Sequence, residues 1–186
     1  MASTANARRL FLALWPGEAA CERLAELVRT VDGAHSIKPA NLHLTLVFLG
    51  ATSAERLACY EGALSDFTMP PLTLTLDRFG FWPKPRILWL GPSHAPTDLL
   101  ALVRELNRRL ERCGFTPESR PFFPHITLAR KFSGPVPRDQ LSDPLSWPVD
   151  CFALAESVRR TSGTDYQVLH SWPIGSGTRS EIGFVK

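Results

Sequence analysis

The chain has 186 residues, 44% of them hydrophobic and 21% charged, which supports a packed domain rather than a disordered or fibrous chain. A net charge of +3 gives no basic tail of the kind that announces a general nucleic-acid binder, and no segment reaches the roughly 20 apolar residues of a membrane helix. Cys21, Cys59, Cys113 and Cys151 form no C-x-x-C pair, so a zinc site built on them is set aside and free thiols in a reducing cytoplasm are expected.

The polar start and the short apolar run Leu10–Trp15 do not read as a secretory leader. Residues Arg9–Trp15 read as a short buried strand. Pro16 is placed to open a helix whose apolar positions Leu24, Leu27, Val28 and Val31 keep the helical period, with Asp32 and Gly33 ending it. Leu42–Leu49 reads as a second strand, closed by Gly50. Thr52 and Glu55 have the spacing of a capping box, ahead of a helix carrying Leu57, Cys59, Tyr60 and Leu64. Leu72–Phe81 alternates as a strand, with Leu72, Leu74 and Leu76 on one face.

The second half repeats the plan. Ile87–Leu90 predicts a strand, and Leu99, Leu102, Val103, Leu106 and Leu110 predict a helix that stops near Gly114. A proline-rich approach, Pro117 and Pro121, leads to a strand over His125–Ala129. Val149–Val158 and Tyr166–Leu169 read as further strands. Residues 175–186 read as a polar tail following a domain over residues 1–174.

Strand, helix and strand thus occur twice, and each final strand carries the same pattern. The first reads Asn41-Leu42-His43-Leu44-Thr45-Leu46; the second reads Phe123-Pro124-His125-Ile126-Thr127-Leu128. Side chains alternate faces along a strand, so His43 and Thr45 point one way while Leu44 and Leu46 point into the core. The same holds for His125 and Thr127 against Ile126 and Leu128. Each strand therefore presents an imidazole beside a hydroxyl on a core-anchored backbone. Imidazole titrates near neutrality, so two of them flanking one phosphorus can serve as base and acid, with the threonine hydroxyls on the non-bridging oxygens. Arg130 is the cation nearest the second motif, but simple alternation puts it on the face opposite Thr127; a bulge or a strand end is needed to bring it inward. Two histidines on distant strands, with no carboxylate or thiol at ligand spacing, make a poor metal set, and no metal or other cofactor is expected. His35, His94 and His170 lie outside the motifs and default to surface or structural roles. Arg104, Arg108, Arg109 and Arg112 default to a solvated helix face.

At these residues the sequence resembles the 2H phosphoesterase superfamily, and more closely the RNA 2′,3′-cyclic phosphodiesterases historically called 2′-5′ RNA ligases. The likeness is carried by Arg9–Ala13 (RLFLA), Asn41–Gly50 (NLHLTLVFLG), Arg120–Arg130 (RPFFPHITLAR) and Tyr166–Pro173 (YQVLHSWP). It implies an α+β, bilobal, pseudo-two-fold fold in which two antiparallel sheets line a central cleft, with helices outside. It also implies hydrolysis of RNA 2′,3′-cyclic phosphate ends to 2′-phosphomonoesters, with reversible 2′-5′ ligation on the same site. His43 is then expected as proton donor and His125 as proton acceptor, with Thr45, Thr127 and Arg130 on the phosphate. Phe11, Phe48, Phe123 and Tyr166 are candidates to stack a base. The expected partner is RNA or a nucleotide ending in a 2′,3′-cyclic phosphate, with no membrane, and the protein is expected as a monomer. Two other readings stay open at this point: a cyclic phosphodiesterase of small nucleotides, and a non-catalytic nucleotide- or RNA-binding module that kept the cleft.

Overall fold

The structure, a computed structural model, describes residues 7–31, 35–161 and 163–175, with the backbone alone at His35 and Ser36. Its elements run β1 (Arg8–Leu14), α1 (Glu18–Arg29), β2 (His35–Ser36), a single 3-10 turn (Pro39–Asn41), β3 (Leu44–Thr52), α2 (Ala54–Leu64), β4 (Leu72–Trp82), β5 (Ile87–Gly91), α3 (Thr97–Glu111), β6 (Ile126–Arg130), β7 (Gln140–Val149), β8 (Cys151–Arg160) and β9 (Gly163–Pro173).

The apolar stripes decide the layering. Leu99, Leu102, Val103, Leu106 and Leu110 of α3, Tyr60 and Leu64 of α2, and Ala20, Leu24 and Leu27 of α1 are buried in one core with the inward leucines of the strands. The strands form an antiparallel sheet in the order β7-β4-β5-β6-β3-β1-β8-β9, with β2 pairing to β6. This order mirrors about its middle: the two histidine strands are adjacent, each flanked by the strand that precedes its helix. In place of the two expected sheets there is one continuous sheet of two four-stranded halves; β3 and β6 meet at the single pair Leu44 and Ile126, and β2 adds a second junction to β6.

Several local expectations need correction. Pro16 lies outside α1; Gly17 is its N-cap, its carbonyl accepting from the Cys21 amide at 2.8 Å. The cap of α2 is Ser53, whose hydroxyl accepts from the Arg56 amide, while Thr52 closes β3 and donates to the Gly50 carbonyl. The run Val149–Val158 is not one strand: it joins the end of β7 to most of β8 through Asp150. Most of β7 is absent from the sequence reading because Pro144 and Pro148 suppress the strand signal, and β7 tolerates them as an edge strand. Finally, Cys59 and Cys113 are not free thiols. α2 packs on α3, bringing the two Cα atoms to 5.9 Å, and the sulfurs are bonded; Cys21 and Cys151 remain free. Asp32 and Gly33, and the tail beyond Gly175, lie outside the described residues.

Candidate active site

His43 stands between the 3-10 turn and β3, and its Nδ1 is 2.7 Å from the Asn41 carbonyl oxygen. His125 precedes β6, with its Nδ1 2.9 Å from the Phe123 carbonyl oxygen. A carbonyl only accepts, so Nδ1 carries the hydrogen in both rings and Nε2 is the nitrogen left for chemistry. The same i to i−2 contact thus fixes the tautomer of both imidazoles. Asn41 is itself held, its side-chain amide donating to the Thr164 carbonyl of β9 at 2.9 Å.

The strands depart from plain alternation, and the departure is the same in both. Thr45 opposes Ala13 and Val47 opposes Leu12, which leaves Leu46 as an extra residue in β3. Thr127 opposes Trp89 and Ala129 opposes Leu88, which leaves Leu128 extra in β6. Each bulge buries two successive apolar residues and returns the chain to the cavity face three positions after the threonine. That position is Phe48 in one half and Arg130 in the other. The bulge that Arg130 needed is therefore present, and it has a counterpart that alternation alone does not reveal.

Every residue expected at the site lines one cavity of about 780 Å³: His43, Thr45, Phe48, Phe11 and Tyr166 from one half, His125, Thr127, Arg130 and Phe123 from the other. Phe11 is buried behind His43, with ring centroids 5.1 Å apart, so it supports the histidine more than it faces open space. Phe48 and Phe123 are the open aromatics, 62% and 49% exposed. Tyr166 meets His43 edge-on at 4.7 Å.

Two neighbours of the histidines escaped the sequence reading. Trp15 stacks on His43 at 5.3 Å, and Trp82 meets His125 edge-on at 4.6 Å. Each reaches its histidine by cross-strand or cross-sheet placement, for which a single sequence carries no local signal. A third is Gly91: a Cβ there would lie 2.6 Å from the Pro124 carbonyl oxygen, so only glycine lets β5 pass this close to the approach to His125. The other histidines behave as expected where described: His94 is exposed beside the Ser93 hydroxyl, and His170 packs on Trp172 at 4.4 Å. Arg108 and Arg109 bond to Glu105, and Arg109 also reaches Asp66, so part of the α3 arginine face ties helices together.

The protein's own groups favour neutral rings. Burial pushes His43 down from 6.5 to about 4; its contact with the Asn41 carbonyl opposes this, while Arg130 and His125 add to it. His125 is lowered as well, first by burial, with the Phe123 carbonyl opposing and Arg130 adding. Arg130 acts on both imidazoles and makes no ion pair among the described residues. An anion in the cavity would offset that field. Such a site can hold a phosphate between two base-competent nitrogens, and protonate either one as negative charge arrives.

Comparison with known proteins gives a consistent result. The model of the LigT-like phosphoesterases matches residues 14–89 and again 90–159, one match for each histidine motif. The RNA 2′,3′-cyclic phosphodiesterase of Escherichia coli K12 is 37% identical over 143 residues, covering 77% of this chain and 81% of that protein. The crystal structure of E. coli LigT in apo form superposes with a TM-score of 0.84 at 31% identity, covering 92% of this chain and 100% of LigT. The complex of the same protein with 3′-AMP gives 0.82 at 32% identity, covering 91% and 99%. With the doubled motif, the shared cavity and these likenesses in place, the chain belongs to the LigT-like phosphoesterase family.

Proposed function

We propose that the protein hydrolyses the 2′,3′-cyclic phosphate at an RNA 3′ end to a 2′-phosphomonoester, using two imidazoles and no metal. The observation that carries this reading is the pair of histidines with the same Nδ1 lock on one cavity, each with a threonine two residues on. Water attacks phosphorus as His125 Nε2 takes its proton. The P–O3′ bond breaks, and the 3′ oxygen receives a proton from His43 Nε2. Solvent then restores both rings. Thr45, Thr127 and Arg130 hold the non-bridging oxygens and meet the charge that builds in the transition state. A 5′-hydroxyl in place of water gives a 2′-5′ linkage by the same proton transfers.

The lowered basicity of His43 fits its role only with substrate present. Burial and Arg130 keep it neutral; a phosphate anion offsets Arg130 and favours the imidazolium that a general acid must be. No helix among the described residues is long and apolar enough to cross a membrane. The reading takes the protein as a cytoplasmic monomer, which cell fractionation and sedimentation address.

The test is product analysis on an oligoribonucleotide ending in a 2′,3′-cyclic phosphate, with a chelator present. The wild type yields a 2′-phosphate, and His43→Ala and His125→Ala each lose several powers of ten in kcat with unchanged far-ultraviolet dichroism. Full activity in the double variant, or activity only after metal is added, refutes the mechanism. Nucleotide binding without turnover by the wild type selects the binding-module reading instead.

A further inference from the structure

The cavity is larger than a single cyclic phosphate needs, and it carries two cations that the mechanism above does not use: Arg120, which is paired with Glu118, and Arg9. Arg9, Phe11 and Ala13 share one face of β1, and Arg9 lines the same cavity as the histidines. Its neighbour Arg8 points the other way and is paired with Glu156 at 2.6 Å. Arg9 is exposed, and no ion pair or hydrogen bond from its guanidinium is found among the described residues. The carboxylate that lines the cavity, Glu118, is taken by Arg120 at 3.0 Å.

Register fixes where Arg9 stands. Ala13 opposes Thr45, and Phe11 opposes Phe48, whose ring is open to the cavity. From Ala13 to Arg9 is four strand residues, roughly 13 Å at about 3.3 Å each. The wall therefore runs hydroxyl, open aromatic ring, free guanidinium. A phosphate held by Thr45, Thr127 and Arg130 is too far along β1 to be shared by Arg9, so an anion at Arg9 is a second one.

Resting on the proposed function, we propose that Arg9 is a specificity-determining residue: it binds the phosphate on the 5′ side of the terminal nucleoside, whose base lies on Phe48. A mononucleoside cyclic phosphate leaves this subsite empty. An RNA end of two or more nucleotides fills it, which makes the oligonucleotide end, not the isolated nucleoside, the preferred substrate.

The test compares kcat/KM for three substrates: a nucleoside 2′,3′-cyclic phosphate, the same compound with a 5′-phosphate, and a dinucleotide ending in the cyclic phosphate. A charge-assisted contact predicts a roughly ten- to hundredfold preference for the dinucleotide over the unphosphorylated nucleoside, expressed in KM. Arg9→Gln removes most of that preference, and Arg9→Lys restores part of it. The salt dependence of log kcat/KM on the dinucleotide flattens in Arg9→Gln by about 0.7, the share of one single-strand phosphate contact. The 5′-phosphorylated nucleoside then behaves like the dinucleotide. Equal losses on the nucleoside and the dinucleotide in Arg9→Gln, or a 5′-phosphorylated nucleoside no better than the unphosphorylated one, overturn the assignment while leaving the hydrolysis itself intact. Absence of cyclic phosphate turnover by the wild type instead strikes at the function on which the assignment rests.

Discussion

Replacing His43 with Asn should change how stability depends on pH. In the folded protein, burial keeps the ring neutral down to about 4, whereas in the unfolded chain it takes a proton near 6.5. Between those values the unfolded state binds more protons, so stability falls as the pH falls through the window and levels off below it. The gap is about 2.5 pH units, and at roughly 1.4 kcal/mol per unit the wild type forfeits about 3 kcal/mol at this one residue between pH 8 and pH 4. Asn keeps a side-chain N–H for the Asn41 carbonyl but has no such proton to refuse. Urea unfolding of both proteins at pH 8, 6, 5 and 4 isolates the difference, because the lowering at His125 and the carboxylate titrations are common to the two. The Asn variant should lose about 3 kcal/mol less over the range. Adding a nucleoside 2′-monophosphate should shrink the difference, since the bound anion favours the charged ring. A wild type–variant difference that stays constant within about 0.5 kcal/mol from pH 8 to pH 4 refutes the claim that His43 is held uncharged.

Arg130→Gln removes the cation that depresses both histidines and contacts the phosphate; kcat/KM should fall by roughly ten- to hundredfold, and the acidic limb of the pH–rate profile should move to higher pH. A profile that keeps its acidic limb unmoved separates Arg130 from the imidazoles. Gly91→Ala forces β5 off the Pro124 carbonyl, and overpacking of this kind costs about 1–3 kcal/mol; because the strain falls on the approach to His125, kcat should drop more than KM changes. Reducing the Cys59–Cys113 bond, which closes a 54-residue span, should cost up to about 4 kcal/mol in the chain-entropy account and lower the melting temperature. An unchanged melt with and without reductant contradicts that.

What could be read from the sequence was whatever its own neighbours dictate. Each His-x-Thr strand is announced by local alternation, and α3 by five apolar residues at helical spacing. Features that depend on which strand lies opposite stayed hidden. Thr127 and Arg130 share a face only because Leu128 is squeezed out of register against β5, and the equivalent slip at Leu46 turns Phe48 toward the cavity. Trp15, Trp82 and Gly91 matter through partners dozens of residues away in the chain. The Cys59–Cys113 bond likewise follows from how two helices pack, which cysteine spacing does not encode. In β7 the local signal misled in the other direction: Pro144 and Pro148 argue against a strand, and only an edge position makes them tolerable.

The seam between the halves has a consequence for how the two imidazoles are placed. His43 and His125 immediately precede Leu44 and Ile126, the one pair that bridges β3 and β6. Each imidazole is braced entirely by its own side, through Asn41 in one case and Phe123 in the other. The spacing between the rings is held by more than that pair: β2 also pairs with β6, the Cys59–Cys113 bond links α2 to α3, and one hydrophobic core runs under both halves. The orientation of each imidazole is in this way fixed within a few residues of it, while the distance between the two is fixed by the packing of the whole fold.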